Sequence, residues 1–254
     1  MKKFFYGFLY FSIILNQFLA ADQNNSLPFN IGEKLEYDLS WGFIPVGSAT
    51  MEVHSIVNYD KKSCILLKFF VRTNSFADSF YKVRTTIESV ISQDVSKSLS
   101  YRKAQQEGKT KKNIFVKFDY DKLKAFYREE NGASSSIPIP VNVFDPLAIA
   151  YSFRLKELHE NQTIQIPTCD GKNFRQMLIK TGKRKVISVP AGKFSAIETI
   201  PEMKNLKGVF QKSPEGILRV WYSQDKSKLP VKISSKVIVG SFNAKLRRIK
   251  AGIE

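Results

Sequence analysis

The chain has 254 residues, a formal net charge of +17, 43% hydrophobic and 13% aromatic residues, and only two cysteines. That is enough apolar chain for a sizeable core, as one large domain or two small ones. Neither cysteine has a Cys or His neighbour at ligand spacing, which excludes a zinc motif. Lysines outnumber arginines 30 to 10 and are scattered, and no recognised nucleic-acid motif occurs, so the charge does not mark nucleic-acid binding. AT-rich codons suffice to explain the abundance of Lys, Ile, Phe, Asn and Tyr. A weak pull toward anionic headgroups is the functional side of the charge.

Met1-Lys2-Lys3, then the apolar run "FFYGFLYFSIIL" and the small residues of "NQFLAAD", follow the order of a secretory signal peptide over residues 1–21. An uncleaved anchor is the alternative. The remainder, 22–254, reads as a single exported β-rich domain whose two halves would meet near 131–160, with the periplasm as its compartment. No later stretch is long and apolar enough for a spanning helix.

From Ile31 onward the pattern is β. "EKLEYDLSW" sets Leu35, Tyr37, Leu39 and Trp41 against Lys34, Glu36, Asp38 and Ser40. "GFIPVG" has turn composition, and "SATMEVHSIV" resumes the alternation, so a hairpin is predicted. "CILLKFFVRT" is the next strand. "NSFADSFYKV" breaks the alternation and predicts a short helical turn over about 74–81, capped by Asn74 or Ser75. Strands follow around "VRTTIESVIS", "SLSYRKAQQ", "KNIFVKFDY" and "KLKAFYREE", then an irregular connection through Pro138 and Pro140.

Asp145 as N-cap and Pro146 at the first helical position predict one main covering helix over 146–158, with His159 capping its end. In the second half, Asp170-Gly171 and Pro190-Ala191-Gly192 mark tight hairpins, and "QDKSK" joins two long strands, the second bending at Gly240. The fold class is mainly β: a strongly curved antiparallel sheet or open barrel under that helix.

Chemistry is sparse. His54 falls on a polar strand face. Glu88 is a carboxylate in the otherwise apolar "TTIESVIS" and is expected to pair with Arg72 or Arg84. No phosphate loop, nucleophile elbow, metal motif or cofactor motif occurs, so no catalytic or metal residues are assigned. For Cys64 and Cys169 two readings stand: a disulfide, as an exported chain permits, or two buried free thiols.

The aromatics carry more. Tyr37, Trp41, Phe69, Tyr151, Trp221 and Val237 are candidates for the wall of an apolar cavity. Trp221 is expected on the inward row of Val231, Ile233, Val237 and Val239, opposite Lys232 and Lys236. The function expected is non-enzymatic binding, by a monomer, of a hydrophobic or amphiphilic ligand such as a lipid or lipoprotein acyl chain, with anionic headgroup contact. An envelope scaffold for a protein or polysaccharide is the alternative; a hydrolase acting through Glu88 is the remote one.

"GEKLEYDLSWGFIPVGSATMEV", "FADSFYKVRTTIESVIS", "FDPLAIAYSFRL", "DGK", "VPAGKFSAIETIP" and "WYSQDKSKLPVKISSKVIVGSFNAKL" resemble, in this order, the bacterial exported family catalogued as domain of unknown function 3108. The resemblance spans about Asn30 to Leu246 and implies an exported, mainly β protein. "VPAGKF" and "VWYSQDKSKLPVKI" are also similar to phrases of periplasmic lipoprotein carriers of the LolA/LolB type, which implies a curved sheet around an apolar cavity.

Overall fold

The computed structural model describes residues 27–202, 217–237 and 240–253. The signal segment expected over 1–21, the basic loop from Lys204 to Glu215, and Val239 lie outside them. So does the side chain of Val237, whose backbone alone is described.

Among the described residues one antiparallel sheet holds fourteen strands: β1 (Lys34–Trp41), β2 (Ile44–Tyr59), β3 (Lys62–Thr73), β4 (Val83–Ser92), β5 (Ser98–Glu107), β6 (Thr110–Asp119), β7 (Lys124–Glu129), β8 (Ser134–Pro138), β9 (Thr163–Cys169), β10 (Phe174–Val189), β11 (Gly192–Pro201), β12 (Ile217–Ser223), β13 (Pro230–Val237) and β14 (Gly240–Lys250). Each pairs with its sequence neighbours, with two exceptions. β1 pairs with β14, joining the two ends of the chain, and β8 and β9 are left as the edges. The sheet is a curved, open barrel.

Side-chain alternation divides its two faces. Leu35, Met51, Phe69 and Ile87 stand opposite one another on β1 to β4 and turn inward. The adjacent row, Lys34, Glu52, Lys68, Glu88 and Arg102, turns outward. Its charges pair across the strands: Lys34 Nζ lies 3.2 Å from Glu52, and Lys68 Nζ 3.4 Å from Glu88. Arg247 and Arg248 both donate to Glu36 at 2.9 Å. This is a solvated exterior around an apolar interior, the inverse of a lipid-facing barrel wall.

The gap between the edges is stitched by the chain that follows β8. Val143 O accepts from Ser98 N on β5 at 2.9 Å, while Phe144 bonds Pro167 O and Cys169 N on β9, both at 2.9 Å. The β9–β10 turn then docks on β6 and β7. Gly171 has φ +91°, and a Cβ there would stand 2.5 Å from Val116 Cγ2, so both backbone and space require glycine. Under that contact Tyr101, Val116, Phe118, Tyr127, Val143 and Cys169 form a second apolar cluster beside the main one.

Several expectations need correction. The covering helix is α2 (Ala148–Ser152) with a 3-10 turn over Phe153–Leu155, not 146–158. Lys156 is extended, at φ −97° and ψ 141°. Leu158 enters the core from extended chain, and Lys228 Nζ donates to Lys156 O at 3.0 Å, so tertiary contacts override the helical spacing. His159 therefore caps nothing; it lies exposed beyond the helix. Ser134–Pro138 is an edge strand, where a terminal proline is tolerated. The long strand expected to bend at Gly240 is instead a hairpin, with β13 and β14 paired from Lys232↔Lys245 to Val237↔Gly240.

The short helical turn stands as α1 (Ser75–Asp78), with Asn74 Oδ1 accepting from Ala77 N at 2.9 Å. Cys64 and Cys169 are buried free thiols on β3 and β9. Burial raises both, Cys169 to about 11. In this structure no disulfide joins them.

Candidate ligand cavity

The site is assembled around one carboxylate. Asp145 is wholly buried, and its Oδ2 accepts from Ser89 at 2.5 Å and Ser98 at 2.6 Å. Its Oδ1 accepts from the backbone N–H of Leu147 at 2.8 Å and of Ala148 at 3.1 Å. Burial pushes its carboxyl above the ordinary value, although the four donors pull the other way. Asp145 thus pins the start of α2 to β4 and β5 and sets the helix across the open side of the sheet.

Behind α2 lies a cavity of about 360 Å³. The helix side contributes Pro146, Ile149, Ala150 and Phe153, and the sheet side Met177, Ile179, Val220 and Tyr222, among others on β9 to β12. Tyr222 braces the wall: its ring stacks on Phe153 with centroids 5.4 Å apart, and its hydroxyl donates to Ala150 O at 3.4 Å. The volume falls within the range of sites for small apolar ligands, roughly 300–1,000 Å³.

One group does not suit an apolar wall. Arg175 shares the inward row of β10 with Met177 and Ile179, and its Nη1 is buried with no hydrogen-bond partner among the described residues. Nearby Asp170 is engaged in its own turn, accepting from Lys172 N at 2.9 Å and Asn173 N at 2.7 Å. A buried donor left without an acceptor costs about 1–3 kcal/mol, more when it carries charge. The arrangement offers a positive donor at the wall of an oily space. It can hold an anion attached to an apolar body.

The family model described as "Protein of unknown function (DUF3108)" matches residues 36–247. The chain belongs to this family. Its fold is similar to that of a β-barrel-like protein of domain of unknown function DUF1849 from Brucella abortus, with TM-score 0.60 and 8% identity over 89% of this chain and 99% of that chain. Also similar, more distantly, are a protein assigned as exported with a YmcC-like fold from Bacteroides fragilis and one assigned as a lipoprotein from Parabacteroides distasonis. Their TM-scores are 0.36 and 0.30, at 10% and 11% identity over 88% of this chain and 98% of each of theirs. No curated protein matches the sequence.

In this member of the DUF3108 family, none of the five described side chains expected to wall a cavity, Tyr37, Trp41, Phe69, Tyr151 and Trp221, lines this one. Tyr37 and Tyr151 are buried together in the main core, where Tyr37 donates to Pro230 O at 2.8 Å. Phe69 packs against that core from its margin. Trp41 is 44% exposed at the end of β1 and stacks on Phe242, centroids 6.3 Å apart. The side chain of Val237 is outside the described residues.

Trp221 is buried, but Ile233 of the expected inward row pairs with Val220 instead. Trp221 stands opposite Lys232, whose ammonium sits 4.7 Å over its ring. The register shift between Trp221 and Tyr222, where Val231 is the extra residue, sets this pairing.

His54 is exposed beside Glu52 at 2.9 Å, and Glu88 pairs with Lys68 and Arg102 instead of Arg72 or Arg84. Among the described residues no group of three His, Cys, Asp or Glu side chains gathers as a metal site would require. Arg175 was missed because arginine on a strand reads as surface. Its signal was the alternation in "FRQMLIK", which places it in register with Met177 and Ile179.

Proposed function

We propose that the protein is a non-enzymatic binder of an amphiphile with an apolar chain and an anionic head, acting as a monomer after export to the periplasm. The chain of the ligand lies between α2 and β9–β12, and its carboxylate or phosphate meets Arg175. The observation that carries this reading is the unpartnered guanidinium nitrogen in an apolar cavity. The signal-peptide order of residues 1–21 supports export, and the charged outer face supports a water-facing barrel.

Native mass spectrometry of gently purified protein tests it first, with an acidic amphiphile expected in the spectrum. Titration with a long-chain fatty acid and the alcohol of equal length follows. The acid is expected to bind more tightly, Ala150→Trp to fill the cavity and abolish both, and Arg175→Met to remove the preference for the acid. Consistently ligand-free protein that takes up neither compound would reject the proposal.

One feature favours a second reading, an envelope scaffold. On the outer face of β3–β8 runs an open groove of about 830 Å³. In it the Phe115 ring is flanked by the guanidinium groups of Arg102 and Arg128, at 5.2 and 5.1 Å. An acidic polysaccharide would suit this groove. Pull-down from delipidated envelope fractions, lost in Arg102→Ala/Arg128→Ala, is the observation that would favour it.

A further inference from the structure

The end of the barrel where the β1–β2, β3–β4 and β5–β6 connections meet exposes large apolar side chains that no core requires. Phe43 is 102% exposed, Phe80 78%, Tyr81 55%, Phe76 53% and Ile44 45%. They form one continuous rim. Asn74 Nδ2 donates to Pro45 O at 2.8 Å, tying α1 to the start of β2. Gly108 N donates to Lys82 O at 2.8 Å, and a Cβ at Gly108 would come within 3.0 Å of the Tyr81 ring.

α1 itself has no buried residue. It is held by polar contacts: the Asn74 cap, and Asp78, which accepts from Thr73 and pairs with Arg84 at 2.5 Å. A four-residue helix fixed by polar bonds, with Phe76 turned to solvent and set edge-on to Phe80 at 5.4 Å, presents aromatics to something outside the molecule.

The charges around the rim identify the partner. Lys82, Lys109 and Lys111 are exposed there, while Asp78 is neutralised by Arg84 and Lys112 faces Glu129 at 3.8 Å. Exposed aromatics ringed by lysines match a bilayer surface, with rings at the acyl boundary and ammonium groups among the phosphates.

We propose that this rim docks on an anionic phospholipid bilayer, inserting Phe43, Phe76 and Phe80. The inference does not rest on the cavity. Arg175→Met should partition onto vesicles as wild type does.

The test uses the chain from Asp22 onward, which holds every described strand, with vesicles of phosphatidylglycerol and phosphatidylethanolamine compared with phosphatidylcholine alone. Cosedimentation is expected with the anionic vesicles, and Phe43→Asp/Phe80→Asp should weaken it by about tenfold per ring. Lys109→Glu/Lys111→Glu should weaken it by about fivefold per lysine at low salt, and less at high salt.

Brominated lipid should quench the emission of Trp41 and spare buried Trp221, with Trp41→Phe assigning the signal. Circular dichroism of each variant confirms that the sheet is intact. Wild-type cosedimentation by the folded Phe43→Asp/Phe80→Asp variant would overturn the proposal. So would unquenched Trp41, or a wild-type dimer in sedimentation velocity that these changes dissociate while vesicles go unbound.

Discussion

Arg154 and Arg175 both contribute to the interior of the barrel, and they are treated in opposite ways. Arg154 is fully buried and fully engaged. Its Nη1 and Nη2 meet Glu33 at 2.5 and 2.9 Å, Nη2 also donates to Pro28 O at 2.9 Å, and Nε donates to Ser227 O at 3.0 Å. Its guanidinium lies 4.9 Å over Phe29. Arg175 has a buried Nη1 and no hydrogen bond to it among the described residues. A charge satisfied by its own fold is architecture, here joining the start of the sheet to the end of the helix segment. One that is left unsatisfied at a cavity wall is the donor to which the proposed ligand's anionic head would bind.

The contrast is broken most forcefully at Glu33. Glu33→Ala strands the Arg154 charge in the core and is expected to destabilise the protein by about 3–5 kcal/mol. Denaturant unfolding measures it, and a loss below about 1 kcal/mol would mean that the pair is not the clamp described.

Asp145 tests whether the cavity's roof depends on a buried anion. Asp145→Ala leaves two hydroxyls and two backbone N–H groups short of an acceptor, for an expected loss of about 2–3 kcal/mol. The pH dependence follows from the upward displacement of its carboxyl from 3.8. Unfolded, Asp145 releases its proton near 3.8, while folded it holds the proton to higher pH. The native state therefore binds more protons across that interval, and this group's contribution to stability falls as pH rises through it. Asp145→Asn should remove that fall, visible as a difference between the two pH–stability curves.

Arg175→Met sharpens the comparison from the other side. Removing a guanidinium that lacks its full set of partners should change stability by less than about 1 kcal/mol, or raise it. Smallest of all is Glu88→Gln, which disrupts two partly exposed pairs on the outer face and should cost less than about 0.5 kcal/mol by thermal unfolding.

What was legible in the sequence was local. Alternation gave the inward row of Leu35 and Tyr37, Asp170-Gly171 gave the hairpin that docks on β6 and β7, and Asn74 gave the cap of α1. What stayed hidden depends on partners far along the chain. No short-range signal says that β1 pairs with β14, or whether Trp221 stands opposite Lys232 or Ile233. The spacing of Leu147, Ala150, Tyr151 and Leu158 looks helical, yet Leu158 reaches the core on extended chain. The cavity could not be located beforehand because α2 and β9–β12 come together only when the sheet curls. The aromatics nominated for it mostly serve the close-packed core, as Tyr37 and Tyr151 do.

The most direct test is calorimetric titration of a long-chain fatty acid into wild-type protein and Arg175→Met, with unfolding curves recorded on both. Binding by the wild type, lowered at least about tenfold in an Arg175→Met variant that is equally or more stable, is the expected result. Equal affinity in the two proteins, or no binding in either, would contradict an interior arranged around an anionic amphiphile.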